Sequence, residues 1–93
     1  MMQQIQRMQE RLAEAQARLA EETVTASAGG GAVKVTVTGD QKVAAVAIAP
    51  ELLKDADAEM LQDLVLTAVN LALEKSRKLQ QKILGPLAGG LPF

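Results

Sequence analysis

An α+β fold in the order helix, three strands, helix is predicted by three observations. Apolar residues recur at steps of three and four from the start to about Glu22. From Thr23 to Thr38 the period changes to alternation, followed by a short run to Ala49 apolar on both faces, and from Asp57 it returns to a helical, heavily apolar pattern. In the first segment Met1, Ile5, Met8, Leu12, Ala15 and Leu19 form one thin seam, while Gln, Arg and Glu fill the other faces and no Gly or Pro interrupts. A helix with a single narrow seam projects or pairs.

In the second segment Val24, Ala26 and Ala28 alternate with Thr25 and Ser27. After Gly29-Gly30-Gly31, Val33, Val35 and Val37 alternate with Lys34, Thr36 and Thr38, which reads as a hairpin. A turn at Gly39-Asp40-Gln41 leads to a third strand, about Lys42 to Ala49, and completes an antiparallel meander that Pro50 stops. Alternation puts Ala44, Val46 and Ile48 on one face of this strand and Val43, Ala45, Ala47 and Ala49 on the other, both apolar. One sheet and one strongly apolar helix cannot cover both faces, so a second copy of the chain is expected, giving a homodimer. A turn spans Pro50 to Lys54, and Asp57 is placed to cap a last helix reaching about Leu84, where Gly85-Pro86 ends it. In its first half only Asp63, Thr67, Asn70 and Glu74 form a polar stripe, and its second half turns basic. Residues 1–84 thus form a single domain and residues 85–93, ending in the chain's one aromatic, Phe93, a flexible tail.

Composition narrows the functions. With 93 residues the chain holds one modest core, and with aromatics at 1% that core is built from Leu, Val, Ala and Ile. No Cys or His is present, so disulfides are absent and the best transition-metal ligands are missing. Only Ser27 and Ser76 offer a hydroxyl of the serine type, and neither has an evident base, so an enzyme is not expected. Asp55, Asp57 and Glu59 have a spacing faintly like a calcium loop, but Met60 stands where the glycine is required and no closing glutamate follows, so they read as acids complementing a helix dipole. The triple glycine lacks a following Lys-Ser/Thr and reads as a turn rather than a phosphate cradle. The four methionines form no thioether cluster. Neither cofactor nor metal is expected. The longest apolar run, Val43 to Ala49, is far below the ~20 residues that span a bilayer, and the first residues have no apolar signal core, so a protein of the cytoplasm without membrane contact is expected.

A net charge of −1 rules out nucleic-acid binding by the whole surface and restricts any such site to a patch. Two candidates exist. Arg7, Arg11 and Arg18 share a stripe of the first helix, in reach of DNA phosphates; the spacings Arg11 to Glu14, Glu14 to Arg18 and Arg18 to Glu22 describe a solvated salt-bridge face equally well. Lys75, Arg77, Lys78 and Lys82 are four cations with no acid from residue 75 onward, whereas residues 51–63 hold five acids against Lys54 alone. Basic residues also favour helix C-termini through the dipole.

Over nearly its whole length the chain resembles the YbaB/EbfC family of bacterial nucleoid-associated proteins. The resemblance rests on the succession of a Met-Gln-rich first helix, a small-residue turn followed by VKVTVTG, the short Pro50-Glu51-Leu52-Leu53 segment, EMLQDLVLTAVNLA and the GGLPF tail. It implies an α-β-β-β-α protomer, a tweezer-like homodimer with protruding helices, and binding of double-stranded DNA with little or modest sequence preference. It also implies residence in the nucleoid, effects on nucleoid organisation, gene expression or DNA repair, and partners among recombination, repair or other nucleoid proteins. Family DNA contacts fall on the helical stretches that here contain Arg7, Arg11, Arg18, Lys75, Arg77, Lys78 and Lys82. One departure stands out: where the family has a third strand like V-R-R-V-E-I-D, this chain has Val43-Ala44-Ala45-Val46-Ala47-Ile48-Ala49 and lacks two cations. The competing reading is an adaptor dimer whose first-helix seam, Ile5, Leu12 and Leu19, seats a partner protein's helix.

Overall fold

The computed structural model describes residues 1–55 and 57–88. Helix α1 (Met2–Glu21) leads into strands β1 (Thr23–Ala28), β2 (Val33–Thr38) and β3 (Val43–Ile48), followed by a short helix α2 (Pro50–Asp55) and a long helix α3 (Ala58–Ala88). The strands form one antiparallel sheet in the order β1-β2-β3. The triple glycine is the β1–β2 turn, and Gly29, Gly30 and Gly31 all take positive φ, the backbone region that side chains with a Cβ avoid.

The core is a helix on a sheet. Register sets Val24 opposite Val37, Ala26 opposite Val35 and Ala28 opposite Val33, so these six share one face. Val33, Val35 and Val37 are fully buried there beneath Ala68 and Ala72 of α3, whose small side chains let the helix backbone approach the sheet. Among buried polar side chains, Ser76 closes the layer, its hydroxyl 2.8 Å from the Thr38 carbonyl and 3.2 Å from that of Gly39. Beside it, Gly39 has no room for a side chain: a Cβ there would lie 2.7 Å from the Leu19 carbonyl oxygen. The base of α1 rests on that bare backbone, and the Gly39 amide donates to the Glu22 carbonyl at 2.9 Å.

Four expectations need correction. Residues 50–55 form a helix rather than a turn: Pro50 pre-sets the first φ, with Glu51 in the first turn and Lys54 in the last, as the dipole favours. The third strand is shorter than the alternation suggested and contains a bulge. Thr36 pairs with Ala45 while the next residue, Val37, pairs with Val43, so Ala44 is the extra residue and Val43 joins Val46 and Ile48 on the α3 side. Helix α3 does not stop at Leu84 but continues through Gly85 and Pro86 to Ala88. A proline this close to a helix end removes one backbone donor and leaves the next two bonds available. The flexible tail expected from residue 85 is therefore helical up to Ala88, and its remainder, residues 89–93, lies outside the described residues. The cap at Asp57 is as expected, its carboxylate accepting from the Met60 amide at 2.7 Å.

Helix α3 packs on β1 and β2, leaving β3 uncovered. Val43 and Val46, turned toward the helix layer by the bulge and the register, remain 50% and 48% exposed. Lys75 marks the β1 side of α3, donating to the Thr25 carbonyl at 2.9 Å. The flank of α3 facing the other way, toward β3, carries Val65, Leu66 and Val69, and Leu66 is 60% exposed.

Candidate nucleic-acid interface

The seven basic candidates lie on α1 and on the second half of α3, and tertiary packing unites these two stretches. Ala15 and Leu19 are buried, and α1 contacts α3 far more than it contacts the sheet. Gln16 and Leu19 share a small groove with Gln80 and Leu84. With Leu19 anchored at Gly39, close to Ser76, α1 runs back along α3 in antiparallel sense, from Leu19 near Ser76 toward its own start beyond residue 84. The result is a two-helix arm that gives the molecule extents of 63 × 22 × 16 Å. Seam residues Ala15 and Leu19 explain the arm: they are apolar at a spacing of four, on the side that meets α3.

Within the arm the side chains differ. Arg7, Arg11, Arg77, Lys78 and Lys82 are exposed and form no ion pair among the described residues. Arg18 pairs with Glu22 at 3.3 Å, so the salt-bridge reading of the first-helix stripe holds for Arg18 and not for the Arg11–Glu14 or Glu14–Arg18 spacings. Lys75 is exposed but tied to β1 through Thr25. Helical spacing aligns Lys75, Lys78 and Lys82 along one stripe, whereas Arg77 points more than a quarter-turn away from it. The structure thus brings together one lysine stripe and one arginine stripe on a shared arm, and separates Arg77 from the lysines. Helix α1 has no acidic residue in its first turn, so the partial positive charge of its N-terminus adds to Arg7 and Arg11 without local compensation. Lys42, solitary in sequence and so passed over when cations were sought in runs, lies exposed in the β2–β3 turn at the base of the arm. Only the placement of that turn against Leu19 reveals its position.

The acids at 55, 57 and 59 are not drawn together: Asp57 is committed to capping α3, and among the described residues no three potential ligands converge. No described helix is long and apolar enough to cross a membrane.

A small α+β chain whose exposed cations, unpaired among the described residues, are displayed on a protruding helical arm has a surface whose chemistry fits polyanions. The comparisons with known proteins make this specific, since the model of the YbaB/EbfC DNA-binding family matches residues 1–91 and the chain belongs to that family. The family is one of DNA-binding proteins, not of enzymes. A protein of Streptomyces avermitilis called a nucleoid-associated protein is 50% identical over 91 residues, covering 98% of this chain and 80% of its own length. One of Alkaliphilus metalliredigens with the same name is 44% identical over the same shares of both chains. The crystal structure of an uncharacterized protein from Helicobacter pylori superposes with a TM-score of 0.79 at 19% identity, covering 90% of this chain and 88% of that one, which shows the fold to be shared.

Proposed function

We propose that this chain is a nucleoid-associated protein that binds duplex DNA as a homodimer, holding the phosphate backbone with the basic stripes of the α1–α3 arm. The observation that carries the reading is the set of exposed cations without ion pairs among the described residues, Arg7, Arg11, Lys78 and Lys82, on one protruding arm of a protein whose net charge is −1. Such side chains exchange counterions for phosphates at little cost, since no existing bond has to break. Arg77 meets the backbone from the opposite flank of α3. Arg18 and Lys75, already engaged, contribute less. Among the described residues the arm presents no aromatic ring for stacking on unpaired bases, which favours duplex over single-stranded DNA, and no base-reading pattern is evident, so binding tracks the backbone with modest sequence preference.

The dimer reading is supported by the uncovered apolar strip that runs from Val43 and Val46 on β3 to Leu66 on α3. A second copy seated there covers both strips by two-fold symmetry and sets two arms on one particle, able to bracket a duplex. Residence in the nucleoid follows from the same reading and agrees with the names of the relatives.

Charge reversal tests the site. The double variant K78E/K82E should lower affinity for a labelled duplex by more than about tenfold at low salt and flatten the salt dependence, while its fold and dimer mass stay unchanged. Retained affinity in that variant would remove the lysine stripe from the interface.

A further inference from the structure

The first turns of α1 present an apolar face with a cationic rim. With Leu19 beside Ser76 and Gln16 beside Gln80, the antiparallel pairing brings α1 to about Met8 where α3 reaches Ala88. Ile5, one turn earlier, is 58% exposed, and Gln4, Arg7, Met8 and Arg11 line one shallow groove.

The start of α3, at the far end of the molecule, presents a groove of opposite charge. Asp57, Glu59, Met60, Asp63 and Leu64 line it, and Met60 is 48% exposed. Asp57 is engaged as the cap, whereas Glu59 and Asp63 form no ion pair among the described residues. The groove adjoins the triple-glycine turn, where the Cβ position of Gly29 lies 3.1 Å from Leu64 and that of Gly30 faces open space. These glycines put no side chain in the way of an approaching helix.

The two faces match in spacing and oppose in sign. Arg7, Met8 and Arg11 on α1 correspond to Glu59, Met60 and Asp63 on α3: a charge, a methionine next to it, and a like charge four residues after the first. All four charged side chains are exposed. Four residues of helix rise about 6 Å on either element. Two helices with the same spacing, laid antiparallel, therefore set charge against charge and methionine against methionine. Within one chain the two faces lie about 40 Å apart along α3, so they cannot meet there.

We infer that the first turns of α1 in one copy dock antiparallel on the start of α3 in another copy, with Arg7 opposite Asp63, Arg11 opposite Glu59, and Met8 against Met60. The occupant is a second copy of this chain because its own sequence supplies the complementary charges at the matching spacing. The contact is heterologous: a copy that gives its α1 keeps its α3 start free, so association continues as an open chain of molecules instead of closing. Exposed ion pairs of this kind are weak singly and are screened by salt. Met60 lies about a third of a turn around α3 from Leu66, so this contact is separate from the strip assigned to the two-fold dimer. It shares Arg7 and Arg11 with the proposed DNA surface, and a copy held this way is kept off the duplex. The inference itself stands apart from the DNA reading and is tested without DNA.

Sedimentation of the full chain is followed over rising protein concentration. At low salt the average mass should grow with concentration beyond the value that high salt restores. R7E/R11E and E59K/D63K should each weaken this growth at least about tenfold in association constant. The fourfold variant R7E/R11E/E59K/D63K exchanges the signs across the contact, keeps the parent's net charge, and should recover the growth. The substituted side chains are exposed, so the fold persists. A parent mass that is the same at low and high salt would overturn the inference. Growth retained in either double variant would also overturn it, by placing the association on another surface. Failure of the fourfold variant to associate would do the same, since the pairing of these four residues would then not be what joins the copies.

Discussion

Ser76 shows how a single residue ties the arm to the sheet. Its side chain is fully buried, and its hydroxyl lies within hydrogen-bond distance of the Thr38 and Gly39 carbonyls in the turn on which α1 also rests. Replacing it with Ala keeps the packing volume nearly constant and leaves a buried acceptor short of its donor, a loss of about 1–3 kcal/mol. Urea denaturation of S76A should show a lowered midpoint with an unchanged slope; an unchanged midpoint would mean that water takes over the Gly39 carbonyl, the Thr38 carbonyl keeping the Gln41 amide as its donor. Ala45 makes the opposite kind of point. It lies on the face of β3 opposite the helices, beside Thr36, at a position where the family resemblance implies a cation, and it is exposed. A45R should therefore be tolerated in stability, strengthen duplex binding and steepen the salt dependence by about one phosphate per protomer. Titrations of A45R and the parent protein over the same salt series would check this, and identical slopes would mean that this face does not meet DNA.

At the scale of elements, β3 is the strand whose environment is incomplete. Helix α3 already buries β1 and β2, so a charge placed on β3 does not reach the core. V46D should accordingly remain folded while its mass by sedimentation falls from dimer to monomer, with weaker DNA binding through loss of the second arm. A persistent dimer would move the interface elsewhere. Several elements were legible in the sequence because their signals are local. Val33, Val35 and Val37 alternate as their burial does, and Asp57 caps the helix it precedes. Other features were not. The bulge at Ala44 leaves no trace in an all-apolar run, where either face assignment fits the residue types. Six-residue α2 is shorter than the periodicity that reveals helices, and the penetration of α3 past Gly85-Pro86 runs against the usual stop signal. For the site, the cations themselves were evident, but their state was not. That Arg18 is paired and Lys75 tied to Thr25 depends on rotamers and on packing between elements distant in sequence.

For the whole molecule, the length of α3 converts charge segregation along the chain into segregation in space. Its 31 residues form a rod of about 46 Å, with Glu59 and Asp63 at one end and Lys75, Lys78 and Lys82 toward the other, where α1 brings Arg7 and Arg11 alongside. A near-neutral protein thus has one basic pole, and the acids around α2 repel the duplex from the far end. The account rests on that pole making phosphate contacts. It is tested most directly by the affinity for a labelled duplex, measured by fluorescence anisotropy across a range of salt concentrations. Saturable binding whose logarithm falls with log salt at a slope near about −5, as neutralisation of about six phosphates per dimer requires, is the predicted result. No binding even at low salt, or binding indifferent to salt, would contradict it.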